Sequence, residues 1–162
     1  MQTSPELLFK RLYELGIDFK IHKHPPAFTV EQAKTHCSHL PGGHCKNLFL
    51  KDKKGNLWLV VTLDEQNVDM KSLRRLIGSS HLSFGKHELL NEVLGVEPGS
   101  VTPFALINDQ YKQVKVILDK NMMEKNLLNY HPLTNNMTVA ITPTDLITFI
   151  HNTGHNPSLI SF

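Results

Sequence analysis

Cys45-Lys46-Asn47-Leu48-Phe49-Leu50-Lys51-Asp52-Lys53-Lys54-Gly55-Asn56-Leu57-Trp58-Leu59-Val60-Val61-Thr62-Leu63 reads as a β-hairpin. Asn47 to Leu50 makes the first strand, Asp52-Lys53-Lys54-Gly55 the turn, and the run from Leu57 the second strand. That run is continuously apolar, the pattern of a strand covered on both faces, so it is expected at the centre of the sheet.

Elements on either side of the hairpin carry their own start and stop signals. Ser4-Pro5-Glu6 followed by Leu7, Leu8, Leu12 and Leu15, then Gly16, predicts a helix over 4–15. Phe19-Lys20-Ile21-His22 alternates as a strand up to Pro25-Pro26, and Thr29 can cap a short helix through Val30 to Ala33. Pro41-Gly42-Gly43 marks a loop. Asp69 can cap a helix through Leu73, Leu76 and Ile77, and Lys86–Leu94 repeats the helical spacing before Gly95. Phe104–Ile107 and Val114–Leu118, joined through Asn108-Asp109, read as a second hairpin. A last strand, Thr138–Ile141, runs into Thr142-Pro143 and a helix through Leu146, Phe149 and Ile150. Interspersed helices with recurring hairpins predict an α/β protein of the α+β type, its mixed sheet layered against helices.

A chain of 162 residues suits one domain over 1–162 and buries roughly 70% of its unfolded surface. With 40% hydrophobic and 20% charged residues it is an ordinary globular sequence. Its net charge of +2 is too small to coat a phosphate backbone, so a nucleic acid would have to be gripped locally. No apolar run approaches the ~20 residues of a membrane span. Met1-Gln2-Thr3-Ser4-Pro5-Glu6 lacks the layout of a signal peptide, so a cytoplasmic location and no membrane partner are expected. Cys37 and Cys45 are expected as free thiols.

His36-Cys37-Ser38-His39 with His44-Cys45, and His24 nearby, invite a zinc reading. Structural zinc sites show paired ligands on both sides, whereas these cysteines have seven residues between them and no second knuckle, so loop histidines are the expectation and no metal or other cofactor is assigned. No depressed thiol pKa is visible in the sequence that would make either cysteine a nucleophile. Gly-x-Ser-x-Gly, a Walker loop and His-Glu-x-x-His are absent. Three polar islands remain beside apolar strands: Lys46-Asn47, Gly99-Ser100-Val101-Thr102-Pro103 and His131-Pro132-Leu133-Thr134-Asn135. Each also reads as a strand end, a turn or a loop.

Together the islands carry a resemblance. His24-Pro25-Pro26-Ala27-Phe28-Thr29-Val30-Glu31-Gln32-Ala33, then Cys45–Leu50, then Gly99-x-x-x-Pro103-Phe104, then His131–Thr142 resembles, over nearly the whole chain, the YbaK/ProX editing-domain family. This family includes the insertion domain of bacterial prolyl-tRNA synthetases and free-standing proteins that hydrolyse mischarged aminoacyl-tRNA. The pattern is most similar to the free-standing branch that clears Ala-tRNA(Pro). The resemblance implies a mixed, partly barrel-like sheet flanked by helices and a trans-editing deacylase acting on the acceptor end of aminoacyl-tRNA, with prolyl-tRNA synthetase as a partner. Alanine, cysteine and serine esters all remain open as substrates.

An ester is an easy electrophile, so such a site can work by holding the carbonyl, admitting a water and stabilising the oxyanion. By resemblance, Lys46 is the essential residue, its ammonium lying near the terminal phosphate or ribose, and an unperturbed lysine is a poor general base at neutral pH. Asn47 accompanies it in the substrate site. The Gly99, Ser100, Val101, Thr102, Pro103 loop would offer backbone N–H groups to the aminoacyl moiety, and His131, Asn135 and Thr138 would line a pocket that excludes proline by size. A hydrophobic pocket gains only ~1–3 kcal/mol per methylene, which is why a second sieve is needed. The substrate's own ribose hydroxyl would assist water activation. His24, Thr29 and His155 are secondary candidates. A non-catalytic tRNA- or synthetase-binding module and a metal-dependent hydrolase on the His36–Cys45 cluster are the rivals. Lys51, Lys53 and Lys54 at one turn, and Lys71, Arg74 and Arg75 on one helix, are candidate tRNA contacts that also read as solvated faces.

Overall fold

Local capping sets most helix boundaries. In the computed structural model, which describes residues 3–162, the Ser4 hydroxyl accepts from Leu7 N and Pro5 opens α1 (Pro5–Glu14), which buries Leu8 and Leu12. Met1 and Gln2, the start of the stretch read for a leader, lie outside the described residues. After β1 (Lys20–Lys23), Thr29 caps α2 (Val30–Cys37) by accepting from Gln32 N at 3.1 Å. The expected hairpin is present as β2 (Gly43–Asp52) and β3 (Leu57–Leu63), antiparallel with Cys45 opposite Leu63 and Lys51 opposite Leu57. Every residue of β3 is buried. Asp69 caps α3 (Met70–Ile77), β4 (Leu82–Phe84) follows, and α4 (His87–Leu94) ends at Gly95 with φ of 64°.

The second hairpin of the sequence reading is absent. Phe104–Ile107 lies in a 3-10 helix, Pro103–Asn108, started by Pro103 and by the Thr102 hydroxyl, which accepts from Phe104 N. A short buried apolar run has no period to separate strand from helix. Here the cap and the proline decide it. β5 (Val114–Asp119) pairs parallel with β3, and on its other side parallel with β8 (Ser158–Ile160). Between them in sequence come β6 (Leu128–Tyr130), β7 (Met137–Ile141) and α5 (Pro143–Asn152), the last capped by Thr142.

The strands form one mixed sheet in the order β1-β7-β6-β2-β3-β5-β8, with β4 also on β2. Strand β2 joins its halves: Gly43 and His44 pair with β6, Cys45–Lys51 with β3, and Leu50–Asp52 with β4. One face carries Phe49, Leu59, Val61 and Leu63 against α1, α4 and α5; the other carries Leu50, Trp58 and Val60 against Leu73 of α3. Among the described residues no helix is long and apolar enough to cross a membrane.

Asp52 ties the β2–β3 turn to the loop after α3, accepting from Lys54 N, Asn56 N, Asn56 Nδ2 and Ser80 N. Burial opposes its charge, but these donors outweigh it and hold its pKa at about 2. The folded state therefore binds this proton less readily than the unfolded chain, and the contribution to stability is present above pH ~4 and lost as pH falls further. Thermal melts of wild type and Asp52→Asn should differ most above pH ~4 and converge as pH is lowered towards Asp52's own pKa.

Candidate active site

Alternation along β2 sends neighbouring side chains to opposite faces of the sheet. Cys45 and Asn47 line a cleft of about 380 Å³ on the face of Leu63; Gly43, Asn129, Tyr130, His131, Thr138 and Cys37 are among the residues of its wall, with Lys34, Asp64, Glu65 and Lys125 also lining it. Lys46, paired with Thr62, lies on the opposite face, in line with Leu48, which packs on the α3 side. It does not line this cleft. Across β3 from Lys46, the Thr62 hydroxyl donates to the fully buried Asp119 carboxylate at 2.6 Å.

Inside the cleft the Oδ1 of Asn47 is buried and has no hydrogen-bond partner among the described residues. Buried polar atoms are nearly always satisfied, so an orphaned acceptor in a cleft marks a place for a donor from a ligand. Asn129, by contrast, spends its Nδ2 on two carbonyls, donating to Pro41 O at 3.0 Å and Gly43 O at 3.2 Å. Burial pushes the Cys45 thiol up to about 12, so it stays neutral at physiological pH, and burial raises Tyr130 as well. These two form a neutral wall rather than a nucleophile.

A chain of imidazoles runs along the cleft's edge. The His24 ring lies 5.8 Å from His22, 5.7 Å from a nearly parallel, stacked His36 and 6.0 Å from His131, and His22 lies 5.3 Å from His39. His24 Nδ1 is 2.7 Å from Pro25 O and its Nε2 is 2.9 Å from Thr138 Oγ1, which also meets Cys37 Sγ at 3.4 Å. Since a carbonyl can only accept, Nδ1 carries a proton and Nε2 faces the hydroxyl. The same logic applies to His131: Nδ1–H donates to Met137 O at 2.9 Å, leaving Nε2 as the acceptor. Burial, with a smaller contribution from neighbouring His24, lowers the His131 pKa against the opposing Met137 hydrogen bond. Near neutral pH its ring is an uncharged base.

The other residues singled out in the sequence fall in three places. Gly99 lies beside Ala27 and Asn135, where an added Cβ would sit 3.6 Å from Ala27 O and 3.8 Å from Asn135 Nδ2. That is ordinary contact, so Gly99→Ala should leave the fold and Tm unchanged. Ser100 and Pro103 are buried in the turns that follow, Val101 packs on the core, and Thr102 is fully buried as a cap. Thr29 caps α2. His155 is buried on the far side between Asp109 Oδ2 (2.8 Å) and Thr153 Oγ1 (2.9 Å), a structural position. The sequence reading missed the part of Tyr130, Asn129 and the histidine chain. Its signal was the density of histidines, which only tertiary contacts convert into one edge. Among the described residues no three His, Cys, Asp or Glu side chains converge as metal ligands.

Comparisons with known proteins identify the family. Residues 24–149 match the model of the aminoacyl-tRNA editing domain. The chain is 39% identical over 160 residues to the Bos taurus prolyl-tRNA synthetase associated domain-containing protein 1, covering 96% of this chain and 93% of that one. It is 33% identical over 153 residues to the prolyl-tRNA editing protein ProX of Acetoanaerobium sticklandii, covering 94% and 93%. A crystal structure described as a candidate trans-editing enzyme for prolyl tRNA synthetase superposes with a TM-score of 0.73 at 19% identity, covering 100% of this chain and 99% of that one, which shows a shared fold. By the family model and these relatives, the chain belongs to the aminoacyl-tRNA editing domain family.

Proposed function

We propose that the protein is a trans-editing deacylase that hydrolyses the ester of mischarged tRNA, with Ala-tRNA(Pro) as its substrate. The observation that carries this reading is the pairing, in one cleft, of an orphaned acceptor at Asn47 Oδ1 with a neutral base at His131. An acceptor suits the α-ammonium of an amino acid or a ribose hydroxyl, and a base suits a water. His131 Nε2 takes a proton from the water as it attacks the ester carbonyl carbon. The bond to the ribose oxygen then breaks, and that proton goes to the leaving oxygen. An ester needs no stronger nucleophile, consistent with the neutral Cys45 and Tyr130. Cys45, Leu63 and Tyr130 give one part of the cleft an apolar, uncharged wall that suits a methyl side chain.

The test is hydrolysis of a panel of labelled aminoacyl-tRNAs by purified protein. Turnover of Ala-tRNA(Pro) with Pro-tRNA(Pro) spared is expected. Folded protein inert towards every mischarged tRNA(Pro) would instead make it a binding module.

Lys46 we assign to the acceptor-end phosphate rather than to the cleft, because its side chain belongs to the opposite face. Lys46→Ala should cost most of the deacylation of full-length substrate, at least about tenfold and mainly in KM, while truncating this partly exposed side chain alters stability by under ~0.5 kcal/mol. Lys46→Arg should rescue poorly, since a guanidinium is broader than a compact ammonium. Wild-type kinetics in folded Lys46→Ala would remove this residue from the substrate path.

A further inference from the structure

A second concavity lies on the α3 side of the sheet, away from the cleft. Lys71, Arg74, Arg75 and His81 line it, with Met70 and Leu82 beneath. The β2–β3 turn adjoins it, because Lys53 N donates to Ser80 Oγ at 3.1 Å and Asp52 accepts from Ser80 N. Lys53 and Lys54 thereby join α3 on one exposed surface. None of these five cations forms an ion pair among the described residues. The two carboxylates nearby are committed to the backbone: Asp69 caps α3 through Ser72 while facing Lys71, and Asp52 holds its turn. Five of the chain's 17 Lys and Arg residues stand on this one surface, a local excess in a chain whose overall charge is only +2.

We propose that this groove binds the phosphate backbone of the double-stranded acceptor stem of tRNA, an inference that rests on the deacylase reading. Five exposed cations, outnumbering the two nearby carboxylates, stand around a shallow groove and fit a polyanion whose charges repeat along a rod, and arginine is suited to phosphate oxygens. Lys46 lies on the groove's side of β2. Contacts of this kind position the RNA without reading its bases.

The experiment measures binding of uncharged tRNA(Pro) to wild type and to the Arg74→Ala/Arg75→Ala double variant over a series of salt concentrations. In parallel it measures hydrolysis of a short CCA-ended oligonucleotide carrying an alanyl ester. The double variant should bind tRNA at least tenfold more weakly, with the slope of log affinity against log salt reduced by about 2. Its hydrolysis of the short ester should equal that of wild type. Unchanged tRNA affinity and salt slope would overturn the proposal, as would an equal loss on the short ester. Tight tRNA binding combined with lost capture of prolyl-tRNA synthetase would also overturn it and give the groove to an acidic protein surface. Should the double variant melt early, Lys53→Ala/Lys54→Ala tests the same surface from the turn. Failure of the deacylase reading looks different: wild type would leave the short ester intact whatever its tRNA affinity.

Discussion

His131→Ala should lower kcat/KM for Ala-tRNA(Pro) by about 10²- to 10⁴-fold, the usual contribution of a positioned general base. The imidazole is fixed for this task by its surroundings. Nδ1–H is spent on Met137 O, so the lone pair of Nε2 is the free end, and the ring lies in the cleft that holds Asn47 and Thr138. Loss of the Met137 hydrogen bond should cost only about 1 kcal/mol of stability, so the variant remains folded for assay. A pH profile separates catalysis from packing. Burial lowers the His131 pKa from its ordinary value near 6.5. The neutral, active form then persists below that pH, and the acid limb of kcat/KM should fall below pH 6.5 in wild type and vanish in His131→Ala. Stability follows the same sign: the folded state prefers the neutral ring, so the advantage is complete above the unfolded pKa and is lost as pH drops through the folded one. Near-wild-type turnover in His131→Ala would hand water activation to the substrate's ribose hydroxyl.

His155→Ala should destabilise the protein by about 3–5 kcal/mol, the cost of leaving a buried charge unpaired, while leaving catalysis by the folded fraction intact. His155 and Asp109 are almost wholly buried, and their side chains meet at 2.8 Å. Burial disfavours the Asp109 charge, but His155 together with the backbone N–H groups of Val114 and Gln113 outweighs it and lowers the carboxyl pKa. On the other side of the ring, the Thr153 hydroxyl donates to Ile150 O at 2.6 Å and so presents its oxygen to Nδ1. This small network locks the end of α5 and the approach to β8 onto the start of β5. Urea or thermal unfolding measures the loss. The His155→Ala/Asp109→Asn double variant should recover part of it, because the unpaired carboxylate is then gone. Equal losses of kcat in the folded His155→Ala protein would put His155 back among residues that serve the reaction.

The sequence by itself determined what depends on short-range chemistry. Caps at Ser4, Thr29, Asp69 and Thr142 act within three residues, so the helix starts could be read from them. The hairpin around Gly55 followed from a turn flanked by apolar runs, and the all-buried β3 matched its unbroken hydrophobicity. Asn47, His131 and Thr138, singled out through the ordered motifs, lie together on one cleft. Tertiary structure decided the rest. Phe104–Ile107 carries no periodicity, and Thr102 with Pro103 turned it into a 3-10 helix; β5 then found parallel partners in β3 and β8, which local sequence cannot specify. The three-residue strands β4, β6 and β8 exist only because neighbours supply their hydrogen bonds. Alternation alone required Lys46 and Asn47 to point apart, but which of them met the cleft depended on where β6 and β7 pack. The histidines of β1, α2 and the His131 loop became one edge only when chain segments up to about a hundred residues apart were folded together.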